Sequence, residues 1–492
     1  MKFFYRRILC AISAIGISWP MLALTFSGIY YQLNSKIDLF QDPDTYMHLE
    51  IGHWILNHHS VPSVDPFSYT MPGAPWVAHE WLSEIIMAFV YDTLGGHGLA
   101  FLTVICFGLT LGYLMRFLLK RVPPIYAIFF TTLAFLTFAT HVLARPHILT
   151  WPIMIVWFGT LFDTIEQDQT PPWYLLLLMP IWANLHGGFT LGLMLLPAFA
   201  IESVWNTEPA SRHIKIKKWG IFIIGSGLAA MVTPFGWDGL WLSFHLISME
   251  SVKFIDEWMS ASFSSLSPLE LWIIALLGLS LFGYLRLSLI RIALLLALLH
   301  QALAHVRFIS VFGFMAAMII AKPFGEIYRE NNTGRANSLA VDQLFDLLSK
   351  PTRPLAIGLC AMLLMGSALL ASANHEVFPS KTLPVAAVDA ALKAGVKGQV
   401  LNWYNIGGYL IFRKIPVYID GRADLYGDQF FGDYHNAMIL GKELELRKVL
   451  ENPKIQWTIF PPESPVIPFL DKQSGWKRIY TDKLAIVHIR VI

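Results

Sequence analysis

The residues of this chain best equipped for chemistry stand in short polar clusters between long apolar runs. The first is Asp42-Pro43-Asp44-Thr45-Tyr46-Met47-His48, followed by Asp65-Pro66 and His79-Glu80-Trp81. Then come His141 with Arg145-Pro146-His147, Asn184-Leu185-His186-Gly187-Gly188, Asp256-Glu257-Trp258, and finally His300, His305 and Arg307. A carboxylate takes a proton from an incoming hydroxyl or amide, or holds a divalent cation through hard oxygens. Arginine and histidine stabilise the charge that develops on a phosphate leaving group. Acid and cation at one level therefore fit group transfer from a lipid phosphate to an acceptor. Zinc is the weaker reading, because His79, His141 and His147 lack the His-x-x-x-His spacing of a helical site. Plainer roles compete: Asp44 fits as the N-cap of a helix over Thr45–Asn57, Arg145 and Arg307 as snorkelling side chains, and Asp65-Pro66 as turn chemistry.

The elements that must position these groups are membrane helices. Of 492 residues, 55% are hydrophobic and 14% charged, with a mean hydropathy of +0.53. That composition is far from a soluble domain's and makes membrane lipid the first expected partner. The net charge of +2 gives no electrostatic reason to expect nucleic acid. Three cysteines, all in apolar stretches, supply neither a disulfide framework nor a thiolate metal site. Runs of spanning length occur near residues 8–30, 97–119, 124–140, 147–163, 172–185, 187–205, 218–233, 269–285, 288–304, 306–321 and 354–373. They predict a polytopic α-helical protein of roughly eleven spans, with a long first outer loop over 32–95 holding helices at Thr45–Asn57 and His79–Thr93. With the N-terminus inside, about 17 Lys and Arg fall in inner loops against about 4 in outer ones, as the positive-inside rule requires. Every polar cluster above then lies on one extracytoplasmic face, where such groups are costly unless they pair or line a wet cavity.

Residues 1–373 thus read as a transmembrane domain, and 374–492 change character. Val385–Ala394 has helical amphipathicity, Gln399–Trp403 and Pro416–Asp420 read as short strands, and 429–450 as helical. Gln456–Phe460 and a hairpin of Trp476–Tyr480 with Leu484–Val491 complete a small α/β domain, which an odd span count places outside.

The segment Asp42-Pro43-Asp44-Thr45-Tyr46-Met47-His48-Leu49 resembles the aspartate-bearing first outer loop of the GT-C superfamily, the polyprenyl-phosphate-sugar-dependent membrane glycosyltransferases. The likeness is strongest to oligosaccharyltransferase catalytic subunits. Leu401-Asn402-Trp403-Tyr404-Asn405-Ile406-Gly407-Gly408-Tyr409 loosely resembles their Trp-Trp-Asp-Tyr-Gly acceptor motif, and Pro416 to Tyr426 is similar to a segment of uncharacterised bacterial members. The resemblance implies an inverting glycosyltransferase of the bacterial cytoplasmic membrane, with a polyprenyl-phosphate-linked sugar donor and a glycan, lipid or protein acceptor. Asp44 would be the catalytic or metal-binding acid by the oligosaccharyltransferase spacing, Asp42 by that of the lipid A aminosugar and protein mannosyl transferases. A divalent cation, Mg or Mn, would sit on these two. Glu80 would be a second acid, and Arg145, His147, His186 and Arg307 would face the donor phosphate. Trp403, Asp420 and Arg422 would meet the acceptor; the competing role is a packed α/β lid in which Asp420 and Arg422 form a structural pair. Asn405 replaces the motif's aspartate and the second outer loop lacks an acidic pair, which points away from peptide asparagine as acceptor. A lipid-linked glycan polymerase or ligase and a non-catalytic glycolipid transporter are the competing readings. Transporters typically show midplane polarity or repeated halves, and neither is visible here.

Overall fold

Long apolar runs fold as helices because lipid and packed apolar side chains offer the backbone no hydrogen-bond partners, so each segment must satisfy its own. The computed structural model of the protein describes residues 17–34, 39–139, 141–332, 340–354, 357–358, 360–362, 366, 378–379, 381–439 and 441–491. Its helices begin with α1 (Trp19–Asn34), α2 (Pro43–His58), α3 (Trp81–Leu119), α4 (Pro124–Ala139), α5 (Pro146–Glu166) and α6 (Leu175–Leu185). They continue with α7 (Phe189–Trp205), α8 (Arg212–Ala230), α9 (Trp237–His245), α10 (Pro268–Leu281), α11 (Leu289–Ala304) and α12 (Ile309–Asn332). Proline opens α2, α5 and α10, where its missing N–H would have had no helical partner.

Three helical stretches among the described residues, Trp81–Leu119, Pro146–Glu166 and Val306–Asn332, are long and apolar enough to cross a membrane. Five shorter apolar helices, α4, α6, α7, α10 and α11, occupy other expected runs. The run at 218–233 falls in α8, whose first turns carry Arg212, Lys215, Lys217 and Lys218. The expected span at 8–30 is described from residue 17 onward and coincides there with α1, whereas the one at 354–373 lies largely outside the described residues. Helix α3 joins the expected outer helix at 79–93 to the span at 97–119, with a break at Gly95, which adopts φ 67°. Glycine reaches that left-handed region without a Cβ penalty.

The C-terminal segment carries α13 (Val385–Lys393), α14 (Gly407–Phe412), α15 (Ala423–Tyr434), α16 (Glu443–Leu450) and a four-stranded sheet. Its strands are β1 (Gln399–Asn402), β2 (Ile455–Phe460), β3 (Trp476–Thr481) and β4 (Ile486–Arg490), in the order β1-β2-β4-β3. β1 runs parallel to β2, and the β3–β4 hairpin is antiparallel. The stretch Pro416–Asp420 is not a strand of this sheet, contrary to the sequence reading. Val417 instead bridges to Ser68 of the first loop: Tyr69 N donates to Val417 O at 3.1 Å, and Val417 N to Phe67 O at 3.3 Å. An apolar run shows that a segment wants a partner, not which one.

This pairing is one of several that seat the C-terminal segment on the first loop. Tyr46 of α2 stacks on Phe378 at 5.7 Å and meets Tyr409 and Phe412 of α14 edge-on. Lys414 pairs with Glu50, and Arg422 with Asp65 at 2.7 Å. α2 also lies hard against α3: a Cβ on Gly52 would stand 2.1 Å from the Glu84 carbonyl oxygen. That close approach brings the polar starts of both helices to one place.

Candidate active site

The polar N-termini of α2 and α3, the turn before α5, the segment before α12 and the start of α15 surround one cavity of about 300 Å³. Asp44 and His48 line it from α2, Glu80 and Glu84 from the start of α3, and Arg145, His147, His186, Glu257 and Arg307 from the other side. Gly421, Arg422 and Asp424 close it from the C-terminal segment, and Met154, Leu191, Leu246, Val306 and Phe308 add apolar wall.

Arg145 is the centre of its charge. Its Nη1 donates to Asp42 Oδ2 at 2.8 Å and to Glu257, and its Nη2 lies 3.1 Å from Asp44 Oδ2. The two aspartates are not equivalent. Asp42 caps α2, its Oδ1 accepting from Asp44 N at 2.9 Å. The capping role that the sequence allowed for Asp44 therefore belongs to Asp42, because helix geometry pairs a cap with the amides following it. Asp44 sits inside the helix's first turn, and its side chain is 24% exposed. Burial pushes its carboxyl up to about 7, aided by the neighbouring carboxylates and opposed by Arg145. Glu257 goes the other way: Arg145 draws it down to about 2. Burial also raises Glu80. The cation expected between Asp42 and Asp44 is in this structure a guanidinium. A divalent ion bridging the two would have to displace Arg145 from both, so that pair does not fit a metal.

Arg307 lies over the Trp258 ring, 4.5 Å from its centre, and the Trp258 carbonyl is 2.8 Å from His305 Nδ1. His147 Nε2 donates to the His141 carbonyl at 3.1 Å, and the His147 and His186 rings lie 6.3 Å apart. The expected donor-side residues Arg145, His147, His186 and Arg307 thus share the cavity with Asp44 and Glu80. Asp42 meets it through Arg145. The expected acceptor residues do not behave alike. Asp420 is 0% exposed, with its oxygens occupied by Arg422 and the Tyr426 hydroxyl, so it has no free face for an acceptor. Arg422 lines the cavity yet is tied to Asp420 and Asp65. Trp403 packs edge-on against Phe460 and is not among the cavity-lining residues.

Sequence reasoning passed over His48, Glu84 and Glu257 as site residues. The signal for the first two was spacing. Asp44 with His48, and Glu80 with Glu84, are each four apart at a helix start, so each pair shares a face. Glu257 stood in a polar cluster, but nothing local tied it to the site, since only the fold brings residue 257 to residue 145.

No family model matches the sequence, and no curated protein does. Among solved structures, the oligosaccharyltransferase of Archaeoglobus fulgidus, tethered by a disulfide to an acceptor peptide containing the NVT sequon, superimposes with a TM-score of 0.53 at 12% identity, over 90% of this chain and 68% of that one. Its apo form gives 0.51 at 11% identity, over 90% and 69%. The chain has the GT-C fold. ArnT from Cupriavidus metallidurans bound to undecaprenyl phosphate also aligns, over 96% of this chain and 97% of that one, at 11% identity and a TM-score of 0.49. Within the GT-C fold, the C-terminal segment reaches the loop aspartate through a glycine. A Cβ on Gly421 would stand 2.4 Å from Asp44 Oδ1 and 2.9 Å from its Cγ. Gly421→Ala is expected to push the carboxylate off its position, and if Asp44 is a reacting group a shift near 1 Å lowers activity by about 10²-fold. A steady-state assay beside an unchanged melting curve checks it.

Proposed function

We propose that the protein is an integral membrane glycosyltransferase that moves a sugar from a polyprenyl-phosphate-linked donor to a hydroxyl- or amide-bearing acceptor on the extracytoplasmic side, with inversion. The observation that carries this reading is Asp44, a carboxyl held near neutrality in a cavity that also contains Arg145 and Arg307. A general base serves best when its pKa lies near working pH. Asp44 takes the acceptor proton as the acceptor oxygen or nitrogen bonds to the sugar's anomeric carbon. The anomeric carbon–oxygen bond to phosphate breaks, and that oxygen leaves with the electron pair. Arg307, with His147 and His186, faces the charge formed on the phosphate. The apolar wall of Met154, Leu191 and Leu246 suits the first isoprene units of a lipid donor. On α9, Trp237 and Trp241 are each 60% exposed, four apart on one face, as in an aromatic belt at the membrane surface. Arg145, fixed on Asp42 and Glu257, orients Asp44. The shared fold with an oligosaccharyltransferase supports glycosyl transfer as the class of reaction.

The test is purified protein in lipid with polyprenyl-phosphate sugars, following free polyprenyl phosphate released and sugar gained by the acceptor. As a base Asp44 works deprotonated, so kcat/KM is expected to rise with pH to a midpoint near 7 and then level. Glu257, held near 2, adds no second limb in this range. A rate flat from pH 5 to 8 would remove Asp44 from the role. Lipid crossing the bilayer with its sugar uncleaved would instead identify a transporter.

A further inference from the structure

Glu80 and Glu84 stand one helical turn apart at the start of α3, and His48 faces both from α2. His48 Nδ1 is 3.0 Å from Glu84 Oε1, and its Nε2 is 3.6 Å from Glu80 Oε2. One nitrogen of His48 and one oxygen from each glutamate all lie within 4.8 Å of one another. Glu84 is 2% exposed, and its Oε2 is buried without a hydrogen-bond partner. Among the described residues, the basic groups paired with the two glutamates are all histidines: His48 on both, and His79 and His186 on Glu80 at 3.8 and 3.4 Å. Arg145 is committed to Asp42, Asp44 and Glu257, and Arg307 lies on Trp258. A fully buried Glu84 with no lysine or arginine paired to it, beside a half-buried Glu80 whose ion-pair partners are histidines, is costly unless a cation joins the two or they take up protons.

We propose that a divalent first-row transition ion binds here, held by His48, Glu80 and Glu84. A mixed imidazole and carboxylate donor set suits Mn²⁺ or Zn²⁺ better than Mg²⁺ or Ca²⁺. Bonds of about 2.1 Å place the donors around such an ion roughly 3–4 Å apart, so side-chain adjustment within the present cluster is enough. The orphaned Glu84 Oε2 gains a partner. His186 serves as an outer support: its Nδ1 accepts from Gly188 N at 2.9 Å, so the proton of the neutral ring sits on Nε2, 3.4 Å from Glu80 Oε1. All three ligand residues line the cavity, so the remaining coordination positions open into it. There the ion meets an anionic oxygen of whatever the cavity holds. That this oxygen belongs to a donor phosphate rests on the glycosyltransferase reading, whereas the ion's binding does not.

The experiment uses the full-length protein in detergent, stripped with chelator and equilibrated with Mn²⁺ or Zn²⁺. Bound metal is counted by mass spectrometry, and thermal unfolding is followed with and without EDTA. One ion per chain and an EDTA-reversible rise in Tm are expected. Glu84→Gln keeps the side chain's shape and is expected to lose at least about 10-fold in affinity, while Asp42→Asn binds as the wild type does. Wild-type protein that retains no metal and shows no Tm shift overturns the proposal. So does loss of binding in Asp42→Asn with retention in Glu84→Gln, which moves the ion to the aspartates. Metal bound without sugar transfer leaves the site standing and sinks the proposed reaction; transfer by a protein that binds no metal sinks the site and leaves the reaction standing.

Discussion

Asp44→Asn is expected to lower kcat by about 10²–10⁴-fold with the fold intact. Asparagine keeps the shape of the side chain and an oxygen for Arg145, and removes only the proton acceptor. The stability effect has a definite sign. A carboxyl raised from the ordinary range to about 7 contributes stability at low pH, where it is neutral in both states, and loses it as pH rises through 7. Above pH 7 the asparagine variant should therefore melt no lower than wild type, and higher if the shift is fully expressed. Asp42→Ala is the contrasting control, because it loses the α2 cap, worth about 1 kcal/mol, as well as one of Arg145's anchors. Activity retained in Asp44→Asn but lost in Asp42→Asn would exchange the two roles. Steady-state rates and melting curves of the three variants, taken side by side, decide it.

Arg422→Ala is expected to be the most destabilising single change, at about 3–5 kcal/mol. Its guanidinium lies between two buried carboxylates. Nε and Nη2 donate to Asp420 at 2.8 and 2.7 Å, and Nη1 to Asp65 at 2.7 Å. Phe67 and Trp76 rings flank it at 5.3 and 4.7 Å. Removing it strands both acids in a dry place and unfastens the C-terminal segment from the first loop. Burial alone would raise Asp420, but Arg422 and the Tyr426 hydroxyl outweigh it and hold the carboxyl below its ordinary value. Wild type therefore keeps this contribution at and above the ordinary carboxylate range and loses it as pH falls below that range. Denaturation of Arg422→Ala and of Arg422→Lys should show a large loss in the first and a partial one in the second, because ammonium restores charge without the forked geometry. A loss under 1 kcal/mol in the alanine variant would mean the network is hydrated.

The same residues show what the sequence disclosed. Asp44, Arg145 and Arg307 were legible because ionisable groups between apolar runs are rare and must have a reason to be there. The helices, the β3–β4 hairpin and β2 followed from hydrophobic period. Asp420 and Arg422 read equally well from the sequence as acceptor contacts or as a structural pair. A charged pair in a short soluble segment looks available, and only packing shows it consumed within the fold. Pro416–Asp420 looked like a strand of its own domain because its pattern is that of a strand, yet its partner lies some 350 residues earlier, at 67–69. Glu257 was invisible as a partner of Arg145, since no local rule joins residues so far apart.

The bond from Arg422 to Asp65 spans 357 positions of sequence. A ribosome adds roughly 5–20 residues per second, so the first loop waits tens of seconds before its counter-ion is even synthesised. Throughout that interval the cavity lacks a wall, Asp65 stays hydrated, and Asp44 has water where Gly421 will later stand. A nascent chain thus has no closed cavity until its final quarter has been made, and the chain's own tail times that closure.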